Sequence, residues 1–509
     1  MKINIIEYFK ETVHLFPNKI AVIDRDREIT FSSLDDKVHT LAYNFASNAN
    51  VLKKPIAVYL NKSIESVCAD LAIIYSGNFY MNLDVKTPSE RIKNIIDLIT
   101  PAIIVTNNQY LKNISGILPD SIQAVNLDEV DWDLSIDEEL LDIRLQKLVD
   151  TDPLCIINTS GSTGTPKGVV LNHRSFFDFT EWALDVFKFS NDEVIGSLSP
   201  LVFDIYSFEL CMLMAKGNTI VVIPEHLSAF PASILQLLEK YKVTFLFWVP
   251  TIMVNIANMN LLTSIKLPDL KTVWFAGEVF PTKQFNYWKK QLPNTMFANL
   301  YGPIEITLDC TYYIVDRDIK DEEPIPIGFP CRNTDVLILN EDNKLVTKVN
   351  EEGELCVRGS SLAMGYYNNP EKTAAAFVQN PLNSAYPELI YRTGDIVYVN
   401  ALGEIVFKGR KDSLVKHMGY RTELGEIEHI IINKLKLVNN GCIVYNFVHK
   451  EITLFYESAE EISPAEFRTK IGKELPKYML PTAFYRLDEL RRNTNGKIDR
   501  LFYNKQING

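Results

Sequence analysis

Short apolar runs bounded by Gly, Pro, Asn or Asp alternate with stretches that repeat apolar residues at helical spacing, from the start to about residue 325. Ile6, Phe9, Val13 and Phe16 predict a helix, and 21–23 a strand. Residues 29–34 read as a strand ending at a helix start, with Ser32 or Ser33 as the cap and Asp35 and Asp36 in the first turn. A buried strand at 55–60, a helix at 63–76 stopping at Gly77, and a strand at 103–105 follow. The same alternation predicts helices at 174–187, 206–216 and 231–241, with strands at 194–198, 219–223 and 244–248. This pattern belongs to wound α/β sheets. Beyond about 325 the period shortens to two, at 334–339, 353–358 and 404–408, which predicts a small, mainly antiparallel β subdomain. Residues 409–412 are polar and read as a linker. A helix at 424–435, strands at 441–445 and 452–455, a helix at 463–474 and a tail predict a separate C-terminal α+β domain. The expected organisation is an N-terminal core 1–408, whose β subdomain is about 325–408, a hinge 409–412 and a C-terminal domain 413–509.

Composition narrows the function. A chain of 509 residues exceeds one core, and 47% hydrophobic with 11% aromatic content fills several. The net charge of −12 argues against nucleic-acid binding but allows a local basic site for a nucleotide. Seven cysteines, at 68, 155, 211, 310, 331, 356 and 442, never stand as CxxC, so reduced thiols are expected and no zinc site. The start is too short in apolar residues for a signal peptide, and the longest apolar run, 245–254, is half a membrane span and contains Pro250. A cytoplasmic protein without a membrane partner is the expectation.

The stretch 159–168, Thr-Ser-Gly-Ser-Thr-Gly-Thr-Pro-Lys-Gly, lies between two apolar runs. Glycines turn backbone N–H groups onto an anion, hydroxyls add donors and Lys167 adds charge. It is not a Walker A loop, because Pro166 and Gly168 flank the lysine. A phosphate cradle and a plain surface hairpin both fit the stretch alone.

Four more polar, Gly-punctuated stretches stand out: 299–305 (Asn-Leu-Tyr-Gly-Pro-Ile-Glu) after a strand, 391–395 (Tyr-Arg-Thr-Gly-Asp) breaking another, 419–428 (Gly-Tyr-Arg-Thr-Glu-Leu-Gly-Glu-Ile-Glu) joining a loop to a helix, and 495–500 (Asn-Gly-Lys-Ile-Asp-Arg). With 159–168 and 409–412 they stand in the order of the adenylate-forming superfamily. The whole chain resembles an amino-acid adenylation domain of nonribosomal peptide synthetases or a stand-alone D-alanyl carrier protein ligase. The resemblance implies the adenylate-forming fold with a mobile C-terminal cap, ATP and Mg²⁺ as cofactors, and two steps. An amino-acid carboxylate attacks the α-phosphate of ATP, giving aminoacyl-AMP and pyrophosphate. A phosphopantetheine thiol then takes the acyl group. It implies that Thr159, Ser160, Gly161, Ser162, Thr163, Gly164 and Lys167 cradle the β,γ-phosphates and that Glu305 holds Mg²⁺. By the same likeness Tyr301, beside Gly302, stacks on adenine, Asn299 reads the exocyclic amine, and Asp395 with Arg410 binds ribose. Lys497 bridges carboxylate and α-phosphate in the first step, and Asp412 is the hinge. Taken singly, a core aromatic, a turn cap or a solvated lysine would also account for Tyr301, Asp395 and Lys497.

Phe203-Asp204 begins a predicted helix. In amino-acid-activating members an aspartate here binds the substrate α-ammonium, although Asp204 also suits a helix cap. Alignment by motif completes the pocket with Ile205, Phe208, Phe247, Trp274, Ala276, Leu300, Leu308 and Asp309. Bulky Phe208, Phe247 and Trp274 favour a small amino acid. Asp309, a carboxylate that needs a donor, favours a serine-like or other small polar one over alanine or glycine. Ile304 replaces the usual threonine before the glutamate. Twelve residues follow Lys497, too few for a carrier domain, so the expected acceptor is a phosphopantetheinylated carrier protein supplied in trans. Two other readings are an acyl- or aryl-CoA ligase, which generally lacks Asp204, and a non-catalytic carrier-binding module, which has no need of Lys167, Glu305, Asp395 and Lys497.

Overall fold

The computed structural model describes residues 2–48, 51–159, 166–411, 414–458, 460–492 and 498–509, and every count below refers to these. Ser160, Gly161, Ser162, Thr163, Gly164, Asp412 and Lys497 lie outside the described residues.

Two large sheets dominate. A seven-stranded sheet runs Gly365–Tyr366, Lys167–Asn172, Pro153–Thr159, Phe79–Asn82, Pro55–Val58, Ile103–Thr106, Gln123–Asn126, parallel from Pro153–Thr159 onward. A nine-stranded sheet has a parallel centre of Met296–Tyr301, Thr272–Phe275, Phe245–Trp248, Val194–Ser197, Thr219–Val222 and Ile20–Asp24, with antiparallel strands at both ends. Along Phe245–Trp248, Phe245 and Phe247 join one apolar cluster and Leu246 and Trp248 another, so two-residue alternation covers both faces. The first cluster unites both sheets with the helices Ile64–Tyr75 and Asp204–Lys216, which are buried along nearly their whole surface. Each fully buried Phe or Leu there contributes about 1.5–3 kcal/mol. All seven cysteines are buried, and burial pushes every thiol up from its ordinary value.

A five-stranded antiparallel sheet follows, built on Glu352–Gly359 and Leu389–Val399. The C-terminal part has a hairpin of Leu414–His417 and Tyr420–Glu423, the helix Leu424–Glu428 that widens into a π-turn to Lys434, and a sheet of Asn440–Asn446, Glu451–Glu457 and Ala483–Leu487. Its main apolar cluster draws all its members from residues 415–484.

Several local expectations change. The second helix begins at Phe31, because the Thr30 hydroxyl accepts from the Ser33 N–H at 3.2 Å; Thr30 is the cap, not Ser32 or Ser33. The stretch 391–395 lies inside the strand Leu389–Val399 and does not break it; Gly394, at φ 72°, absorbs the kink where the register with Glu352–Gly359 slips. Gly409 and Arg410 end the strand Ile405–Arg410 and so are not a free linker. The tail holds a strand and the helix Arg500–Asn508.

Candidate active site

The carboxyl ends of parallel strands from both large sheets converge on one cavity of about 140 Å³. This is where open α/β sheets bind ligands, because crossovers leave a crevice there. Asn82, Thr159, Phe247, Ala276 and Gly302 reach it from five strand ends. Of the predicted pocket, Asp204, Ile205, Phe247, Ala276, Leu308 and Asp309 line it. Phe208, Trp274 and Leu300 are buried without lining it. Phe208 stacks on Trp274 with centroids 5.2 Å apart, and Phe179, Phe187, Phe245 and Phe247 pack edge-on against the same indole. Aromatic rings thus fill the depth behind the cavity.

Asp204 is the first residue of the helix Asp204–Lys216 and not its cap, which is Phe203. Burial pushes its carboxyl up to about 6, against the pull of Lys416. Asp309 is 3% exposed; burial and then the Asp204 charge drive it well above the carboxylate range. The Lys416 ammonium faces both from the C-terminal hairpin, and burial lowers it.

Glu305 occupies a one-turn 3-10 segment, Ile304–Ile306, and is fully buried. The chain doubles back immediately after it, with Thr307 at φ 54° and Leu308 at φ 65°, and the Cys310 N–H bonds the Tyr301 carbonyl at 2.8 Å. Gly302 permits this reversal: a Cβ there would lie 2.2 Å from the Leu308 carbonyl oxygen. Glu305 accepts from the Tyr366 hydroxyl at 2.8 Å and from Arg421 Nη1 at 2.5 Å. Burial works to raise its carboxyl, but Arg421 and Tyr366 together hold it below the ordinary value. Lys167, paired across the hairpin with Thr159, has its ammonium 5.3 Å from the Tyr366 ring centroid, and burial lowers it.

Tyr301, Asp395 and Arg410 form a cluster off the cavity. The Tyr301 hydroxyl donates to one Asp395 oxygen, and Arg410 Nη1 lies 2.5 Å from the other. Asn299 gives its amide N–H to the Pro326 carbonyl at 2.8 Å.

The hairpin of the C-terminal part sits in the cleft. Gly419 N–H donates to Glu278 at 2.8 Å, Tyr420 packs edge-on against Phe203 at 4.8 Å, and the buried Arg91 pairs with Glu426. Sequence reasoning missed Lys416, Glu278, Arg91 and Tyr366. The only signal was a lysine next to the apolar pair Leu414-Val415, since pairing across such sequence distances leaves no local pattern. The flanks of Lys497 are described: Arg492 and Ile498 bridge each other, and Ile498 packs on a small cluster with Leu490 and Tyr503.

Comparison with known proteins matches the model of the family described as AMP-binding enzyme over residues 9–367. The chain is 31% identical to Tyrocidine synthase 1 of Brevibacillus parabrevis over 98% of its own length and 44% of that protein. It is 31% identical to Zwittermicin A synthase ZmaJ of Bacillus cereus over 97% of its length and 93% of ZmaJ. The chain thus spans less than half of the former and nearly all of the latter. The Vibrio cholerae adenylation domain AlmE, solved with glycyl-adenosine-5'-phosphate, shares the fold at a TM-score of 0.86 and 22% identity, covering 99% of this chain and 98% of that one.

Proposed function

Because the chain belongs to the AMP-binding enzyme family and is an adenylate-forming enzyme that uses ATP and Mg²⁺, we propose that it activates a small amino acid as aminoacyl-AMP and passes it to the phosphopantetheine thiol of a separate carrier protein. The observation that carries this reading is Asp204 on a cavity walled by Phe247, behind which Phe208 and Trp274 pack. A carboxylate lining the cavity suits an α-ammonium, and the aromatic packing behind Phe247 leaves little room for a long side chain. Asp309, whose carboxyl burial drives upward, would offer a hydrogen-bond partner to a substrate hydroxyl, so a serine-like or other small polar acid ranks ahead of alanine and glycine.

In the first step a substrate carboxylate oxygen bonds the α-phosphorus, and the bond to the pyrophosphate oxygen breaks. Asp204 would orient the amine, the Thr159–Lys167 loop would hold the departing phosphates, and Lys497 would offset the negative charge shared by carboxylate and phosphate. Glu305 fits Mg²⁺: it is a buried carboxylate held below its ordinary value near Lys167, and a single carboxylate suffices where phosphate oxygens and water complete the shell. Bound there, Mg²⁺ would neutralise phosphate charge. In the second step the thiol sulfur bonds the acyl carbon, AMP leaves with the electron pair of the C–O bond, and the thiol proton passes to solvent. Residues 413–509 would act as a mobile cap hinged at Asp412. The hairpin at the cleft, with Arg421 on Glu305, supports reading the observed arrangement as the one that serves transfer after pyrophosphate and its metal have gone.

ATP–pyrophosphate exchange over a panel of amino acids tests the assignment. Serine, alanine, glycine and similar small acids should stimulate exchange; a preference for phenylalanine or tryptophan would overturn it.

A further inference from the structure

The loop between the strand Val194–Ser197 and the helix Asp204–Lys216 delivers Asp204 to the cavity, and alternate carbonyls of that loop are held by side chains of the other sheet. Lys62 follows the strand Pro55–Val58 and precedes the helix Ile64–Tyr75. It is 8% exposed. Its ammonium donates to the Ser197 carbonyl at 2.7 Å, the Ser197 hydroxyl at 3.0 Å and the Ser199 carbonyl at 2.7 Å. Three protons meet three acceptors, the full capacity of the group. The Leu201 carbonyl accepts from Asn82 Nδ2 at 3.3 Å, and Asp70 steadies Asn82 at 3.1 Å. The helix start is fastened by the same set: Tyr206 donates to Asp70 at 2.9 Å, and the Ser197 hydroxyl donates to Glu209.

Lys62, Asp70 and Glu209 do not line the cavity. Burying a lysine is costly, and an apolar side chain of similar length would fill the volume without that cost. What the ammonium adds is orientation: it ties the carbonyl at 199 to the one at 197, which the Ile223 N–H already anchors in the sheet at 3.0 Å, and so sets the path of the next five residues to Asp204. Glu209 compensates its charge, and burial draws the two groups toward neutrality, lowering Lys62 and raising Glu209.

We propose that Lys62 is a positioning residue for substrate recognition, holding the Ser197 and Ser199 carbonyls so that Asp204 is aimed at the substrate α-ammonium; this rests on the assignment of Asp204 made above.

The test is discrimination between an amino acid and the same acid without its amine. The pairs are serine with 3-hydroxypropanoate, alanine with propanoate and glycine with acetate, and the pair whose amino acid is best activated is used. In pyrophosphate exchange, Lys62→Met should lower the preference for the amino acid, in kcat/KM, at least tenfold, with the KM for ATP within twofold of wild type. Mere destabilisation would lower the active fraction and leave that ratio unchanged. The double variant Lys62→Met with Glu209→Gln leaves no uncompensated buried charge and guards against misfolding of the single one. Wild-type preference in either folded variant overturns the proposal. Asp204→Asn, run alongside, separates the two ideas. Its preference should collapse. If it collapses while the Lys62 variants keep theirs, only the positioning role fails; if Asp204→Asn keeps its preference, the Asp204 assignment fails and the positioning role with it.

Discussion

Replacing Arg421 by alanine should uncouple the two halves of the reaction. Glu305 is fully buried, the Arg421 side chain is 14% exposed, and the two meet at 2.5 Å. Breaking a buried ion pair by deleting one partner costs about 3–5 kcal/mol, because a charge is left uncompensated. The Tyr366 hydroxyl stays on the other Glu305 oxygen, so the lower end, about 3 kcal/mol, applies. That cost falls only on the arrangement in which the hairpin occupies the cleft. At 1.4 kcal/mol per tenfold, its population relative to other cap positions drops about a hundredfold. Transfer of the acyl group to pantetheine, followed in a single turnover from preformed adenylate, should slow by about that factor. ATP–pyrophosphate exchange should change by no more than about threefold, and the Mg²⁺ concentration for half-maximal exchange should fall, since Arg421 no longer competes for Glu305. Equal loss in both half-reactions, or undiminished transfer, would refute the reasoning.

Gly302→Ala forces a Cβ to within 2.2 Å of the Leu308 carbonyl oxygen, so the 302–309 reversal must open; a loss of about 1–3 kcal/mol in urea unfolding is expected, together with a raised amino-acid KM. Asp204, held up to about 6, is protonated below that pH and loses its attraction for an ammonium; the amino-acid KM should rise about tenfold from pH 7 to pH 5, and a flat KM over that range would contradict the assignment. Lys497→Ala should reduce exchange by orders of magnitude with normal folding by circular dichroism, and Lys167→Ala by less; the reverse order would overturn the ranking of the two lysines.

The apolar runs that became Pro55–Val58, Phe245–Trp248 and their neighbours were legible because central parallel strands are buried on both faces and cannot carry polar residues. Their partners were not. Ile20–Asp24 pairs with Thr219–Val222, and nothing local encodes a neighbour two hundred residues away. Tyr391–Asp395 read as a break because Gly and Thr are turn residues, yet sheet pairing on both sides overrides that preference. At the site, the motif residues could be named from order and spacing, but not their mutual contacts. Arg421 meets Glu305 across 116 positions. Lys62 stands in Asn-Lys-Ser, a composition indistinguishable from a solvated loop, and only the fold buries it.

The burial of all seven cysteines has a chemical consequence. An acyl adenylate is an electrophile that a nearby thiolate would capture, and Cys310 adjoins the pocket residue Asp309. A thiol reacts as its thiolate, and burial pushes the Cys310 thiol well above its ordinary value. The buried thiols are therefore poor nucleophiles toward such an adenylate. The same burial would make one cysteine introduced at the exposed Met418, on the tip of the hairpin, a reactive thiol whose labelling tests whether the C-terminal part moves as proposed.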